Sequence, residues 1–142
     1  MDQWSPRPAH DVPDGLVLFD GVCVLCSAWV RFVIERDPRA RFRFLSIQSE
    51  AGRRLAERFG VSPDNPQTNV VIDDGQAWFK SDAALTVLGR LPSTRWTRVL
   101  KRIARQIRNP IYDVIARNRY RLFGRTEVCM IPSAEHRIRF LA

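Results

Sequence analysis

Along the first ninety positions, apolar residues come in short runs of strand length that alternate with longer stretches at helical spacing. Leu16-Val17-Leu18-Phe19 is a continuous apolar run ending at Asp20, the pattern of a strand buried on both faces. From about Cys23 to Arg36 the spacing becomes helical, with Leu25, Trp29, Phe32 and Val33 on the expected buried face. Asp37-Pro38 ends that helix, because the residue before a proline is pushed out of the helical region. Phe42 to Ile47 predicts a second strand. Strand, helix and strand in succession imply a right-handed crossover and a parallel pair. Ser49 can cap the next helix, which carries Ala51, Leu55 and Phe59 on one face before Gly60. Asn69 to Ile72 and Gln76 to Phe79 read as strands joined by Asp73-Asp74-Gly75, hence an antiparallel hairpin. Ser81-Asp82 opens a short helix that runs through Leu88 to Gly89.

Leu91-Pro92 marks a boundary. Beyond it, residues 94–108 place Trp96, Val99, Leu100, Ile103 and Ile107 at helical spacing with arginines on the other side. Pro110 suits the first position of a further helix, from Ile111 to about Phe123, closed by Gly124. Left exposed, the stripe would be a large apolar patch. The expectation is that it packs on the core through Trp96, Leu100, Ile103 and Ile107 and leaves the arginines solvated. Residues 1–15 have no apolar core of their own and read as a disordered lead-in. The chain thus divides into a lead-in (1–15), an α/β core (16–92) and a basic helical extension (93–142).

Charge sharpens that division. Residues 1–92 carry a net −1 and residues 93–142 a net +9, which together make the +8 of the 142-residue chain. The excess suits an anionic or membrane-surface partner. Aromatics interleave the arginines, but no nucleic-acid-binding motif is present, so nucleic acid is not the expected partner. The N-terminus lacks a signal-peptide core, and no apolar run approaches the ~20 residues of a membrane span. The expected location is the cytoplasm, with membrane association only through a partner. Three cysteines are too few for a disulfide-stapled scaffold.

The chemistry sits at Cys23-Val24-Leu25-Cys26, between the first strand and the first helix. Two cysteines three apart at a helix start form a dithiol centre, because free backbone N–H groups and the positive end of the helix favour a thiolate. Cys23, at the helix start and with some exposure, is the expected nucleophile. Cys26, one turn in and better buried, would be the resolving thiol. Val24 and Leu25 form an apolar lip for substrate. A zinc half-site is the competing reading, but only Cys129, His136 and His10 could complete it, and no metal or organic cofactor is expected. Inert buried thiols are the third. Asp20 is either a turn acceptor or a proton acceptor during exchange. Its charge would raise the Cys23 pKa, against the helix terminus. Cys129 is either a buried structural thiol or a second redox thiol. The cluster Arg117-Asn118-Arg119-Tyr120-Arg121 either docks the tail or forms an anionic-partner site.

Phe19-Asp20-Gly21-Val22-Cys23-Val24-Leu25-Cys26 resembles the Asp-x-x-Cys-x-x-Cys signature of the DCC family of thiol–disulfide oxidoreductases. The stretches Arg41 to Phe44, Gln48 to Gly52, Ser81 to Ala84 and Ile115 to Gly124 are similar to the same family, and Cys129 falls where a family cysteine is expected. The similarity covers residues 16 to about 133. It implies a thioredoxin-like three-layer α/β fold, a small mixed sheet flanked by helices, with the Arg-rich extension appended. It also implies protein-disulfide reductase activity on protein substrates, recharged by an external thiol reductant. Thioredoxin-like proteins usually place a cis-proline before the third strand. Here that register holds Thr68, with Pro63 and Pro66 out of step, so Thr68 is the candidate substrate-binding residue there. The alternative is a thioredoxin-like binding module whose basic helices engage a membrane surface, nucleic acid or a protein.

Overall fold

The computed structural model describes residues 4–64, 66–125 and 139–141. In chain order the elements are β1 (Arg7–Pro8), β2 (Leu16–Phe19), α1 (Val24–Arg36), β3 (Arg43–Ser46), α2 (Glu50–Arg58), β4 (Val70–Asp73), β5 (Gln76–Phe79) and α3 (Lys80–Arg90). A 3-10 segment (Pro92–Arg102), α4 (Arg105–Arg117), α5 (Arg119–Phe123) and β6 (Phe140–Leu141) follow. The strands form one sheet in the order β1-β5-β4-β2-β3-β6. β2 and β3 are parallel, as the crossover rule requires, and β2, β4 and β5 are antiparallel in turn.

Alternation along the strands splits the core into two layers. Leu16, Leu18, Leu45, Ile47, Val70, Ile72 and Phe79 point to one face and pack with Ala56 and Phe59 around α2. Val17, Phe19, Phe44 and Val71 point to the other and meet Val30 and Val33 of α1 and Ala83 and Val87 of α3. This is the three-layer thioredoxin-like α/β architecture. Ser49 caps α2 by accepting the Gly52 N–H at 3.0 Å. Gly52 is required there: a Cβ would stand 1.9 Å from the Ser46 carbonyl oxygen. The β4–β5 turn puts Asp74 and Gly75 at φ 52° and 73°, the two left-handed positions of a tight hairpin turn.

Three expectations need correction. The lead-in is not wholly without structure: Arg7 and Pro8 pair with Ala77 and Gln76 as an edge strand. Trp4 lies 5.5 Å from the Phe79 ring. A proline is compatible with an edge strand because it owes no ladder bond on the solvent side. Second, the buried face of α1 is Cys26, Ser27, Val30 and Val33. Leu25, Trp29 and Phe32 lie at its flank, half-buried.

The third correction concerns the extension. Residues 92–102 form two short 3-10 pieces, at about three residues per turn rather than 3.6, joined by a kink at Thr94. At that pitch Thr94, Thr97 and Leu100 share the inward face, and Trp96 and Val99 turn outward, 67% and 54% exposed. The threonines drive this with local bonds. Thr94 Oγ1 donates to the Leu88 carbonyl and Thr97 Oγ1 to the Thr94 carbonyl, both at 2.7 Å. Ile103 and Ala104 are extended, so α4 starts at Arg105 and Pro110 lies within it rather than at its start. The extension does pack on the core, but through polar groups. Arg105 and Arg108 reach the buried Asp82 carboxylate at 2.6 and 2.9 Å. Asn109 Oδ1 accepts from the Ser81 hydroxyl, and Lys80 pairs with Asp113 at 2.6 Å. The apolar stripe, expected inside, is outside.

Candidate active site

Asp20, Gly21, Val22 and Cys23 form a tight turn between β2 and α1, closed by the Cys23 N–H donating to the Asp20 carbonyl at 3.2 Å. Cys23 is the cap residue of α1, with extended backbone, and its Sγ accepts the Cys26 N–H at 3.3 Å. A sulfur that caps a helix takes up a backbone donor that no intrahelical carbonyl can reach. Cys23 is held down to about 7. The Cys26 thiol, donating to the Cys23 sulfur, is the largest cause, and the Cys26 N–H adds to it. Burial and the Asp20 charge push the other way. Cys26 is pushed far upward by the same bond, whose proton it keeps, and by burial. The two bonds from Cys26, its thiol first and its N–H at the helix start second, therefore outweigh Asp20 in the opposition that the sequence left open.

Exposure is the reverse of expectation. Cys23 has no accessible surface, whereas Cys26 is 9% exposed. The cause is a segment from the far end of the chain. The Val24 N–H donates to the Gly124 carbonyl at 3.3 Å, and the backbones of Cys23 and Arg125 form an antiparallel bridge beside it.

Asp20 is a hub. Its Oδ1 accepts the Val22 N–H at 3.2 Å and the Gln48 Nε2 at 2.7 Å. Its Oδ2 accepts the Tyr120 hydroxyl and faces Arg119 at 3.6 Å. The turn-acceptor role is thus present in the Val22 bond, within a wider network. Gln48 also accepts the Gly21 N–H at 2.8 Å, so one amide grips both the turn and its carboxylate. Tyr120 is pushed up to about 12, first by burial and then by donating to Asp20. Its proton stays on oxygen at neutral pH.

Thr68 is buried beside this hub. It shares a small cleft with Asp20, Cys26, Tyr112 and Arg119, and its Oγ1 accepts the Lys80 N–H at 2.5 Å. Tyr112 accepts the Asn69 N–H at 3.2 Å, which ties α4 to the start of β4. Leu25 and Trp29 line a cavity of about 310 Å³ with Cys26, Val71, Ala83 and Ile115. That placement explains why they sit at the flank of α1 rather than in the core. Val24 is exposed next to Gly124 and does not line that cavity.

Among the described residues no three His, Cys, Asp or Glu side chains are grouped to hold a metal. His10 lies under the β4–β5 turn against Gly75. Cys129 and His136 lie outside the described residues, as does any second-thiol role of Cys129. No described helix is long and apolar enough to cross a membrane. The sequence reading missed Gln48, Arg119, Tyr120 and Tyr112 as site residues. Gln48, Arg119 and Tyr120 stand in the stretches already noted as family-like, and that was the available signal. Of the arginine cluster, Arg119 docks and Arg117 and Arg121 remain exposed.

A dithiol in the first turn of the helix that follows the leading central strand of a mixed sheet defines a thioredoxin-like redox protein. The chain belongs to the DCC1-like thiol-disulfide oxidoreductase family, whose model matches residues 17–125. It is similar to the uncharacterized protein YuxK of Bacillus subtilis, 39% identical over 134 residues, which is 94% of this chain and 98% of that one. A chloroplastic DCC family protein of Arabidopsis thaliana is 36% identical over 116 residues, covering 80% of this chain and 67% of that protein. No solved structure matches the chain.

Proposed function

We propose that the protein is a reductase of protein disulfides that uses Cys23 and Cys26. The observation that carries this reading is the split of the two thiols. Cys23 caps α1 with its sulfur accepting the Cys26 N–H at 3.3 Å, which holds its thiol down, and Cys26, one helical turn away, is pushed up. The Cys23 thiolate attacks one sulfur of a substrate disulfide. That S–S bond breaks, a mixed disulfide forms, and the other substrate sulfur leaves as a thiolate that takes a proton. Once Cys23 is in a disulfide its negative charge is gone. The main cause that holds the proton on Cys26 goes with it. Cys26 then loses its proton and attacks the Cys23 sulfur. The second substrate thiol is released and a Cys23–Cys26 disulfide remains. An external dithiol reductant supplies two electrons and two protons to restore the pair. Asp20 shares a small cleft with Cys26 and fits the role of proton acceptor from it. The cavity beside Cys26, lined by Leu25, fits an apolar side chain flanking the substrate cysteine, and the exposed Val24 offers it a surface contact.

Attack by Cys23 needs Gly124 and Arg125 to move aside, so turnover includes an opening step. The test is a reduction assay with a disulfide-bonded protein, paired with trapping. Cys26→Ser should accumulate a mixed disulfide through Cys23, and Cys23→Ser should not. Trapping through Cys26 in the Cys23→Ser variant would reverse the roles. Absence of protein-disulfide reduction by the wild-type protein with any dithiol reductant would reject the reading.

A further inference from the structure

The outward face of α4 is apolar along its length. Ile107, Ile111, Val114 and Ile115 recur at helical spacing, and each is about half exposed or more. Ile103 continues the line before the helix and Leu122 continues it after. A row of exposed apolar side chains along one helix face, rimmed by polar residues, marks a contact site. The docking of α4 on α3 does not use this face. That docking runs through Asp82, Asn109, Lys80 and Asp113 on the opposite side.

The charges identify what the face meets. Arg102, Arg117 and Arg121 are exposed and form no ion pair among the described residues. The single acid of α4, Asp113, is committed to Lys80. The apolar line is therefore flanked by positive charge of one sign. It is also carried on the exposed side of one helix, with Val114 and Ile115 lining neighbouring clefts as well. A bilayer bearing anionic headgroups matches both properties, since it offers negative charge beside hydrocarbon and demands no shaped pocket. Arginine stems can lie along the apolar face while their guanidinium groups reach phosphate.

We infer that this chain docks on anionic lipid surfaces through the outward face of α4, with α4 lying in the plane of the interface. The inference does not depend on the redox reading. It carries one consequence for it: Ile115 belongs both to this face and to the cavity beside Cys26, so docking brings that cavity to the lipid boundary.

Flotation with vesicles of phosphatidylcholine alone, and of phosphatidylcholine mixed with phosphatidylglycerol, tests it. Binding to the anionic vesicles should exceed binding to the neutral ones at least tenfold and weaken as salt rises. Ile107→Asp with Ile111→Asp, and separately Arg117→Glu with Arg121→Glu, should each reduce it at least tenfold. Circular dichroism and the Cys23 alkylation rate should stay at wild-type values, which separates lost docking from lost fold. Equal binding to both vesicles, no binding to either, or indifference to both pairs of substitutions would overturn the inference. So would a dimer in sedimentation that Ile111→Asp dissociates, since the face would then belong to a second copy.

Discussion

Cys26→Ala isolates the interaction that sets the nucleophile. Cys23 falls from 9.0 to about 7, a difference worth ~2.7 kcal/mol between its two protonation states. The largest cause is the Cys26 thiol, and the Cys26 N–H bond at 3.3 Å is a further one. Alanine removes the first and keeps the second. The Cys23 pKa should therefore rise by about one unit or more, recovering roughly half of the 2.7 kcal/mol. Cys26→Ser keeps a hydroxyl donor at the same place and should fall between alanine and wild type. Thiolate absorbance across a pH titration is the better assay. Alkylation rates understate the effect, because a thiolate of higher pKa is intrinsically more nucleophilic and offsets part of the lost fraction. If Cys23 in the alanine variant still titrates near 7, the backbone at the helix start sets the pKa by itself. The account of Cys26 as both proton holder and resolving thiol would then fail.

Four further outcomes are expected. Asp20→Asn should lower the Cys23 pKa below that of wild type, since Asp20 acts on it by charge and Arg119 stays behind. A rise in that titration would contradict the electrostatic reading. Tyr120→Phe should cost about 1–3 kcal/mol in urea unfolding, because a buried carboxylate loses a donor. Asp82→Ala should cost about 3–5 kcal/mol by the same measurement, since it strips Arg105 and Arg108 of their shared buried partner. Melting of the reduced protein should show its stability rising from pH 7 toward 9. Cys23 has a depressed folded pKa, so its contribution is complete above the unfolded value and lost as pH falls through about 7. Above about pH 9 the raised Cys26 works in the opposite sense and the gain should level off or reverse.

The core was legible because its signals are local. The run from Leu16 to Phe19, the helix after Cys23, the Ser49 cap and the Asp74-Gly75 turn each depend on neighbours within a few residues, and each element formed as read, although α1 buries a different face. The dithiol was legible for the same reason: the spacing puts both thiols in the first turn of a helix, where Cys26 can bond the Cys23 sulfur. The extension misled because its hydrophobic period was ambiguous. Trp96, Val99, Leu100 and Ile103 suit an α-helical stripe, yet threonine hydroxyls bonding nearby carbonyls chose the tighter 3-10 pitch and rotated the stripe outward.

The sequence by itself determined the α/β layering and the position of the dithiol at the start of α1. Tertiary structure alone decided what surrounds that pair. Tyr120 and Arg119 meet Asp20 across about a hundred positions of chain, and Gly124 and Arg125 pair with the backbone of Val24 and Cys23. Such contacts arise from how α4 and α5 dock on the core, through charges and amides that have no periodicity to read. A carboxylate seen in the sequence as a turn acceptor thereby becomes the centre of a buried network, and a thiol expected to face solvent is covered.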